Sequence, residues 1–387
     1  MKILTTLLLT SLPILAQAQT DFTFLVPNPP EISAPAYILQ DFHSGKVLMK
    51  QNADRRLEPA SLTKLMTAYL VFKKLKAGKI KLTDTVLISE KAWRMTGSKM
   101  YIEVGKRVPL ELLIKGMIIQ SGNDASVALA EFVAGTEDAF AVLMNQEAQR
   151  LGLTNSHFTN STGLPDGQHY SSPHDLVRLA RALIRDFPEY YHWYSVLEFT
   201  YNNIKQHNRN VLLRRDSSVD GVKTGYTKAA GYCLIASAKR GNMRLISVVT
   251  GAESKKKRHN DSEEMLNYGF HFFETHLLYK AQQVLDTQRV WQGNREQLEL
   301  GLEKSLYLTL PKGQYKNLKA KLYIDKHIMA PIVAGETHGT LKISFANKDN
   351  KDNVILERPL VALSSIEEGN LWNRLMDSIL LFFIKKL

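Results

Sequence analysis

Two residues able to build a nucleophile stand three apart in EPASLTKLMTA: Ser61 and Lys64. A hydroxyl becomes a useful nucleophile when a neighbour takes its proton, and an amine does so only when uncharged. On a helix, positions three apart share a face, with roughly 5–6 Å between Cβ atoms. Leu62, Leu65, Met66 and Tyr69 surround Lys64 with apolar side chains, and burial of that kind disfavours the protonated amine. The hydroxyl would also sit at a helix start, where free N–H groups favour developing negative charge. The spacing alone decides nothing. Ser254 and Lys257 repeat it inside the basic stretch AESKKK, where nothing would neutralise the lysine. Ser61 is equally consistent with a capping hydroxyl, and Lys64 with a solvated first-turn lysine.

Two further stretches break the tie. IIQSGNDAS supplies Ser121-Gly122-Asn123 at the entry to a helix, and VDGVKTGYT supplies Lys223-Thr224-Gly225 on a strand. Each has a bland reading, as a capping turn and as a lysine beside a turn glycine. The order Ser-x-x-Lys, Ser-x-Asn, Lys-Thr-Gly, in helix, loop and strand contexts, is much harder to reach by chance than any one element.

These elements need a frame. AYILQDFHSGKVLMKQ reads as a hairpin turning at His43-Ser44-Gly45. A helix opens at Ser61 and runs to about Lys76, before Gly78. From about 83 to 190 the pattern is mostly helical. Pro109 suits the first turn of LELLIKGMII, Asn123 or Asp124 could cap ASVALAEFV, Thr136 opens a helix ending near Gly152, and Ser172-Pro173 begins HDLVRLARALI. Strand patterning returns in VDGVKTG, GYCLIASA and, after the Arg240-Gly241-Asn242 turn, MRLISVVT. Strands at both ends with helices between predict an α/β layer with an inserted helical lobe, over residues 19–275. SLYLTLPKG and TLKISFAN alternate apolar and polar residues, with NKDNKDN as a polar turn, and predict a small all-β domain over 276–365. In the tail, 366–387, Leu371, Trp372, Leu375, Met376, Ile379, Leu380 and Phe383 share one helical face, opposite Asn373, Arg374, Asp377 and Ser378. Arg374 and Asp377 are costly inside a bilayer, so this amphipathic helix is expected to lie in an anionic membrane surface, with Lys385 and Lys386 at its end. Packing on the β-domain is the alternative.

The remaining composition narrows the setting. At 387 residues the chain exceeds what one core serves, and 44% apolar with 23% charged residues argues against disorder. Lys2, the apolar run ILTTLLLTSLPILA and Ala16-Gln17-Ala18 read as a cleaved export signal over 1–18, too short and too interrupted at Pro13 to span a membrane. Cys233 is the single cysteine, so no internal disulfide holds the fold; in GYCLIASA it reads as a packed core thiol. The net charge of +12 fits anionic lipid or acidic wall polymer, and no nucleic-acid motif is present. The eleven histidines are scattered without metal-ligand spacing.

With the three elements in place, the chain resembles the low-molecular-mass penicillin-binding proteins, the D-alanyl-D-alanine carboxypeptidases of the bacterial envelope. STGLPDGQHYSS, the NRN of HNRNVLL, AGYCLIASA, GFHFFET, and RPLVAL with EGN extend the likeness over nearly the whole mature chain. The resemblance implies Ser61 as the acylated nucleophile and Lys64 as its general base. Ser121 would relay a proton to the leaving group and Asn123 hold the substrate amide. Lys223 and Thr224 would bind the terminal carboxylate, assisted by Arg209, while Gly225 admits the substrate backbone. Oxyanion donors would be the N–H groups of Ser61 and of Tyr226 or Thr227. Implied too are a peptidoglycan stem pentapeptide as substrate, β-lactams as covalent inhibitors, no cofactor or metal, and the periplasmic face of the inner membrane. Two departures stand out: Tyr226 where many relatives carry histidine, and Ser126 where they often carry cysteine. A class A β-lactamase would need a deacylating glutamate, for which Glu198 in Glu198-Phe-Thr-Tyr-Asn202 is the tempting match. A cross-link endopeptidase would use the same site, and a non-catalytic peptidoglycan scaffold would leave it idle.

Overall fold

Strands covered on both faces read as nearly continuous apolar runs, and AYILQD, GYCLIASA and MRLISVVT have that character. The computed structural model describes residues 26–345 and 353–384. The export segment, most of the NKDNKDN turn, and Lys385 and Lys386 lie outside the described residues. The first hairpin, β1 (Ala36–Asp41) and β2 (Val47–Gln51), joins β3 (Val219–Thr227), β4 (Gly231–Arg240) and β5 (Met243–Ala252) in one antiparallel sheet, ordered β2-β1-β5-β4-β3. Every residue of β1 is buried. Ile38 joins the larger apolar cluster on one face of the sheet, and Leu39 joins Met265 and Leu266 on the other. Strand β3 ends the sheet, so one row of its backbone groups is left without a strand partner.

Between β2 and β3 the chain builds the helical lobe, with α1 (Lys64–Lys76), α2 (Asn123–Ala134), α3 (Glu137–Arg150) and α4 (Pro173–Asp186). Every residue of α1 from Lys64 to Phe72 is buried, as expected of a helix apolar all round. Thr136 and Ser172 cap α3 and α4 by accepting the N–H groups of Ala139 and Asp175. Two expectations shift. Neither Asn123 nor Asp124 caps α2. Gly122 holds that position, and Asp124 instead accepts the backbone N–H groups of Met100 at 3.0 Å and Tyr101 at 2.9 Å. Pro109 precedes its helix, which starts at Leu110 and passes into a single π turn, Gly116–Gln120. The opposite face of the sheet is covered by α5 (Lys255–Phe272). The rejected Ser254–Lys257 pair is a helix start: Ser254 Oγ accepts the Lys257 N–H at 3.1 Å, and the Lys257 amine pairs with Glu253.

The β-rich part opens at β6 (Phe273–Tyr279), slightly before 276. It continues through β7 (Val284–Trp291), β8 (Gln297–Gly301), β9 (Leu306–Pro311), β10 (Leu318–Ile324), β11 (Ile328–Met329), β12 (Thr337–Phe345) and β13 (Asn353–Ala362). Strands β6 and β9 pair, and the others form a sheet ordered β10-β12-β13-β8-β7-β11. Asp41 at the end of β1 accepts from the Thr275 hydroxyl at 2.8 Å, joining the two parts. The tail helix, α6 (Leu371–Ile384), packs on the β-domain, the alternative reading of the sequence. Its Asp377 accepts the Gln292 N–H at 2.6 Å and pairs with Arg289 at 3.1 Å, and Ser378 accepts from Gln292 Nε2 at 2.8 Å. The polar stripe thus faces the β-domain, while Leu371, Trp372, Leu375 and Phe383 stand exposed.

Candidate active site

Ala60 at the site is strained, with a φ of +47° in the left-handed region that costs an alanine about 1–2 kcal/mol. It starts a single 3-10 turn, Ala60–Thr63, that leads into α1 and carries Ser61. Ser61 is not a helix cap; the preceding Pro59 holds that position, without a side-chain bond. Lys64 Nζ lies 3.2 Å from Ser61 Oγ.

Lys64 is 1% exposed. Its amine donates to Asn123 Oδ1 and to the Thr162 carbonyl, each at 2.7 Å. Burial, reinforced by the charge of Arg209, lowers its pKa to about 7, where an amine is half neutral in neutral solution. The Thr162 carbonyl is held in place by a local loop. Asn160 Oδ1 accepts the N–H groups of Thr162 at 3.1 Å and Gly163 at 2.8 Å. The next carbonyl back, Ser161, accepts Thr67 Oγ1 of α1 and Ser126 Oγ of α2, both at 2.7 Å. Ser126, where relatives often have cysteine, is therefore a hydroxyl clamp between helix and loop. Gly163 has φ +81°, and a Cβ there would come within 1.8 Å of the Ala60 carbonyl oxygen.

Ser121 and Asn123 form the opposite wall. Ser121 has φ +66° where the π turn ends, and its buried Oγ has no partner among the described residues. The Asn123 amide makes two bonds, Nδ2 donating to the Thr96 carbonyl at 2.7 Å while Oδ1 takes the lysine, which leaves one N–H free. As placed, it orients Lys64 and also lines the cleft.

Strand β3 makes the third wall. A Cβ on Gly225 would lie 3.2 Å from both Ala60 Cβ and the Pro59 oxygen, and 3.3 Å from Ser61 N, so only glycine lets the strand approach Ser61 this closely. Lys223 is 3% exposed, lies behind the cleft surface and donates to the Thr224 carbonyl at 2.9 Å. Burial and the nearby cations Lys64, Arg209 and Arg258 push its amine well below the usual lysine range, a shift that an arriving anion would reverse. These walls enclose a cleft of about 990 Å³ lined by Ser61, Ser121, Asn123, Thr224, Gly225 and Arg209 among others. No Asp or Glu among the described residues lines it. Glu198, the glutamate a β-lactamase would require, is exposed on a separate hairpin and pairs with Lys205 at 2.9 Å.

A family model described as D-alanyl-D-alanine carboxypeptidase matches residues 24–254, well over half of the chain. The chain belongs to that family. A second model, the C-terminal domain of penicillin-binding protein 5, matches residues 273–368. The D-alanyl-D-alanine carboxypeptidase DacA of Escherichia coli K12 is 45% identical over 368 residues, covering 93% of this chain and 90% of that protein. DacF of Bacillus subtilis 168 is 40% identical over 87% of this chain and 86% of its own length. The crystal structure of penicillin binding protein 5 from Haemophilus influenzae superposes with a TM-score of 0.83 at 42% identity, covering 88% of this chain and all of that one.

Set against the family's three elements, one residue of this site was missed in the sequence. Arg258 of α5 is 5% exposed, lines the cleft and donates from Nη1 to the Gly225 carbonyl at 3.1 Å and the Cys233 carbonyl at 3.3 Å. Burial lowers its pKa to about 10. The signal was the basic run KKKR in AESKKKRHN, set aside because its Ser-x-x-Lys spacing led nowhere. Tyr226, the departure after Lys-Thr-Gly, is 54% exposed and packs on Tyr232 with ring centroids 4.3 Å apart.

Proposed function

We propose that this chain is a serine-type D-alanyl-D-alanine carboxypeptidase that removes the terminal D-alanine from peptidoglycan stem pentapeptides through an acyl-enzyme on Ser61, and that penicillin acylates the same hydroxyl. One observation carries the reading: a buried amine with its pKa near 7 stands 3.2 Å from a serine hydroxyl at the floor of a cleft without carboxylates.

Neutral Lys64 takes the Ser61 proton as Oγ attacks the carbonyl of the penultimate D-alanine. The developing oxyanion is held by the Ser61 N–H, an orphan at the start of a helical turn, and by the Tyr226 N–H on the β3 edge. Ser121 Oγ, without a partner of its own, passes the proton to the departing amine. Thr224 binds the substrate's terminal carboxylate, with Arg209 in front and Lys223 and Arg258 behind supplying positive charge. Water then takes the amine's place and Lys64 activates it for deacylation. In this reading Asn123 holds Lys64 through Oδ1, and its remaining Nδ2 hydrogen serves the substrate amide.

The organisation proposed from the sequence stays the same: an export segment over 1–18, a catalytic domain over 19–275, a β-domain over 276–365 and a membrane-surface helix beyond. No helix among the described residues is long and apolar enough to cross a membrane. An outward apolar face on α6, with its polar stripe turned to the β-domain, supports attachment by lying in the headgroup layer.

The test is labelled penicillin and release of D-alanine from a pentapeptide, with wild type and Ser61→Ala. Wild type should give both and the variant neither. Labelling of the variant, or an adduct mapped to another residue, would overturn the proposal; labelling of wild type without D-alanine release would leave a penicillin-binding scaffold.

A further inference from the structure

The stretch STGLPDGQHYSS gives Lys64 its Thr162 carbonyl, but its histidine, His169, has no place in the cleft. His169 is 3% exposed. Backbone pairing sets its segment between the two parts of the chain that fix Lys64 relative to Ser61. Leu57, just before the Ser61 turn, exchanges both backbone bonds with Ser171, at 2.8 and 2.9 Å. His157, just before the loop 159–163, does the same with Tyr170, at 2.8 and 3.0 Å.

The His169 side chain repeats this bridge. Its Nδ1 accepts the Thr159 backbone N–H at 3.1 Å, which puts the proton of a neutral ring on Nε2. Nε2 then donates to Thr63 Oγ1 at 2.8 Å. Burial lowers the pKa of the ring to about 4, with Asp166 opposing and His157 and Lys64 assisting, so it is neutral wherever Lys64 titrates. Thr63 is wholly buried and sits between Ser61 and Lys64 in the turn Ala60–Thr63. Thr159 opens the loop whose Thr162 carbonyl takes the lysine, and a Cβ on Gly163 of that loop would fall 2.7 Å from Thr63 Oγ1. One imidazole thus has an end on each of the two surfaces that meet around the base.

We infer that His169 is a positioning residue for acylation: by bridging Thr63 and Thr159 it clamps the Ser61 turn to the loop 159–163, which keeps the Lys64 amine dry and within reach of the Ser61 hydroxyl. This rests on the carboxypeptidase reading, in which Ser61 is the residue acylated. Without the bridge the turn and the loop can part. A shift of about 1 Å in a reacting group can cost about 10²-fold in rate. Water entering the gap would also raise the Lys64 pKa, because burial is the main cause of its depression, ahead of Arg209, with Asp124 and Glu137 opposing.

The experiment is stopped-flow acylation by a chromogenic β-lactam across pH, in wild type, His169→Leu, His169→Gln and Thr63→Val, with the limiting rate and the half-saturating concentration measured separately. His169→Leu and Thr63→Val should each lower the limiting rate at neutral pH by about tenfold or more and raise the midpoint of the pH profile by about one unit. The half-saturating concentration should stay within about twofold, since His169 lies outside the cleft. His169→Gln, whose amide offers a donor and an acceptor, should recover the rate to within about fivefold of wild type. His169→Leu combined with Thr63→Val should be no slower than either alone, because both cut the same contact. A role confined to stability would lower the melting temperature and the reactive fraction while folded molecules kept the wild-type midpoint. That result, or a His169→Gln variant as slow as His169→Leu, overturns the inference and leaves the carboxypeptidase reading intact. Should His169→Leu fail to fold, Thr63→Val and His169→Gln decide by the same criteria. If wild type is not acylated at Ser61, the carboxypeptidase reading falls, and this inference with it.

Discussion

The Asn123 side-chain oxygen accepts from the Lys64 amine at 2.7 Å, joining residues 59 positions apart in the chain. The contact fixes the amine in a direction that keeps it 3.2 Å from Ser61 Oγ. Asn123→Ala removes that restraint and the tie to Thr96, leaving the buried Lys64 amine short of a partner. It should slow penicillin acylation by about 10²–10³-fold and lower stability by about 1–3 kcal/mol. Acylation kinetics and denaturant melts check both. Wild-type kinetics in this variant would remove Asn123 from the mechanism.

Because the base must be neutral, acylation should decline as pH falls through the Lys64 pKa of about 7 and level off above it. Below that value the rate should drop about tenfold per pH unit. Stopped-flow acylation by a chromogenic β-lactam across pH gives the profile. A rate independent of pH through neutrality would mean that some other group takes the proton.

Gly163 and Gly78 separate packing from backbone cost. Both have positive φ, but a Cβ at Gly78 meets nothing within 4 Å, while one at Gly163 meets the Ala60 oxygen at 1.8 Å. Gly78→Ala should cost about 1–2 kcal/mol and leave penicillin labelling intact. Gly163→Ala should cost about 3 kcal/mol or more and abolish labelling, because the displaced Ala60 carries Ser61 with it. Equal effects of the two substitutions would show that Gly163 is not what seats the nucleophile turn.

Cys233 is wholly buried on β4, and burial pushes its thiol up to about 11. A thiol reagent should leave the native protein unlabelled at neutral pH and react at the rate of unfolding. Prompt labelling of folded protein would place this thiol in a more open environment.

On the tail helix, Leu375→Glu/Ile379→Glu should abolish co-sedimentation with anionic vesicles by removing the exposed apolar face. Asp377→Ala should retain vesicle binding and make the tail more sensitive to protease, since Asp377 holds α6 to the β-domain. Vesicle binding that survives the double substitution would locate membrane affinity elsewhere.

Local chemistry made the three walls of the cleft legible before any fold was known. Ser-x-x-Lys at a greasy helix start, Ser-x-Asn after an apolar run and Lys-Thr-Gly on a strand each carry short-range signals of period, capping and composition. The same signals gave the hairpin at Gly45, the caps Thr136 and Ser172, and the buried thiol. What escaped involved contacts between distant segments. The bonds from Asn123 to Lys64 and Thr96 are of this kind, spanning 59 and 27 positions of the chain. Arg258 was overlooked because its partners are carbonyls 33 and 25 positions away.

Sequence alone determined which residue types could react and the order in which they occur, since hydroxyl, amine and helical or strand period are properties of short stretches. Tertiary structure decided which serine stands beside a buried amine. Ser61 and Ser254 have the same spacing to a lysine, but only Lys64 is buried among other segments, where loss of water lowers its pKa to about 7. Lys257 stays in solvent beside Glu253 and keeps its charge. Desolvation is the summed effect of the whole surrounding fold, and no short stretch of sequence contains it.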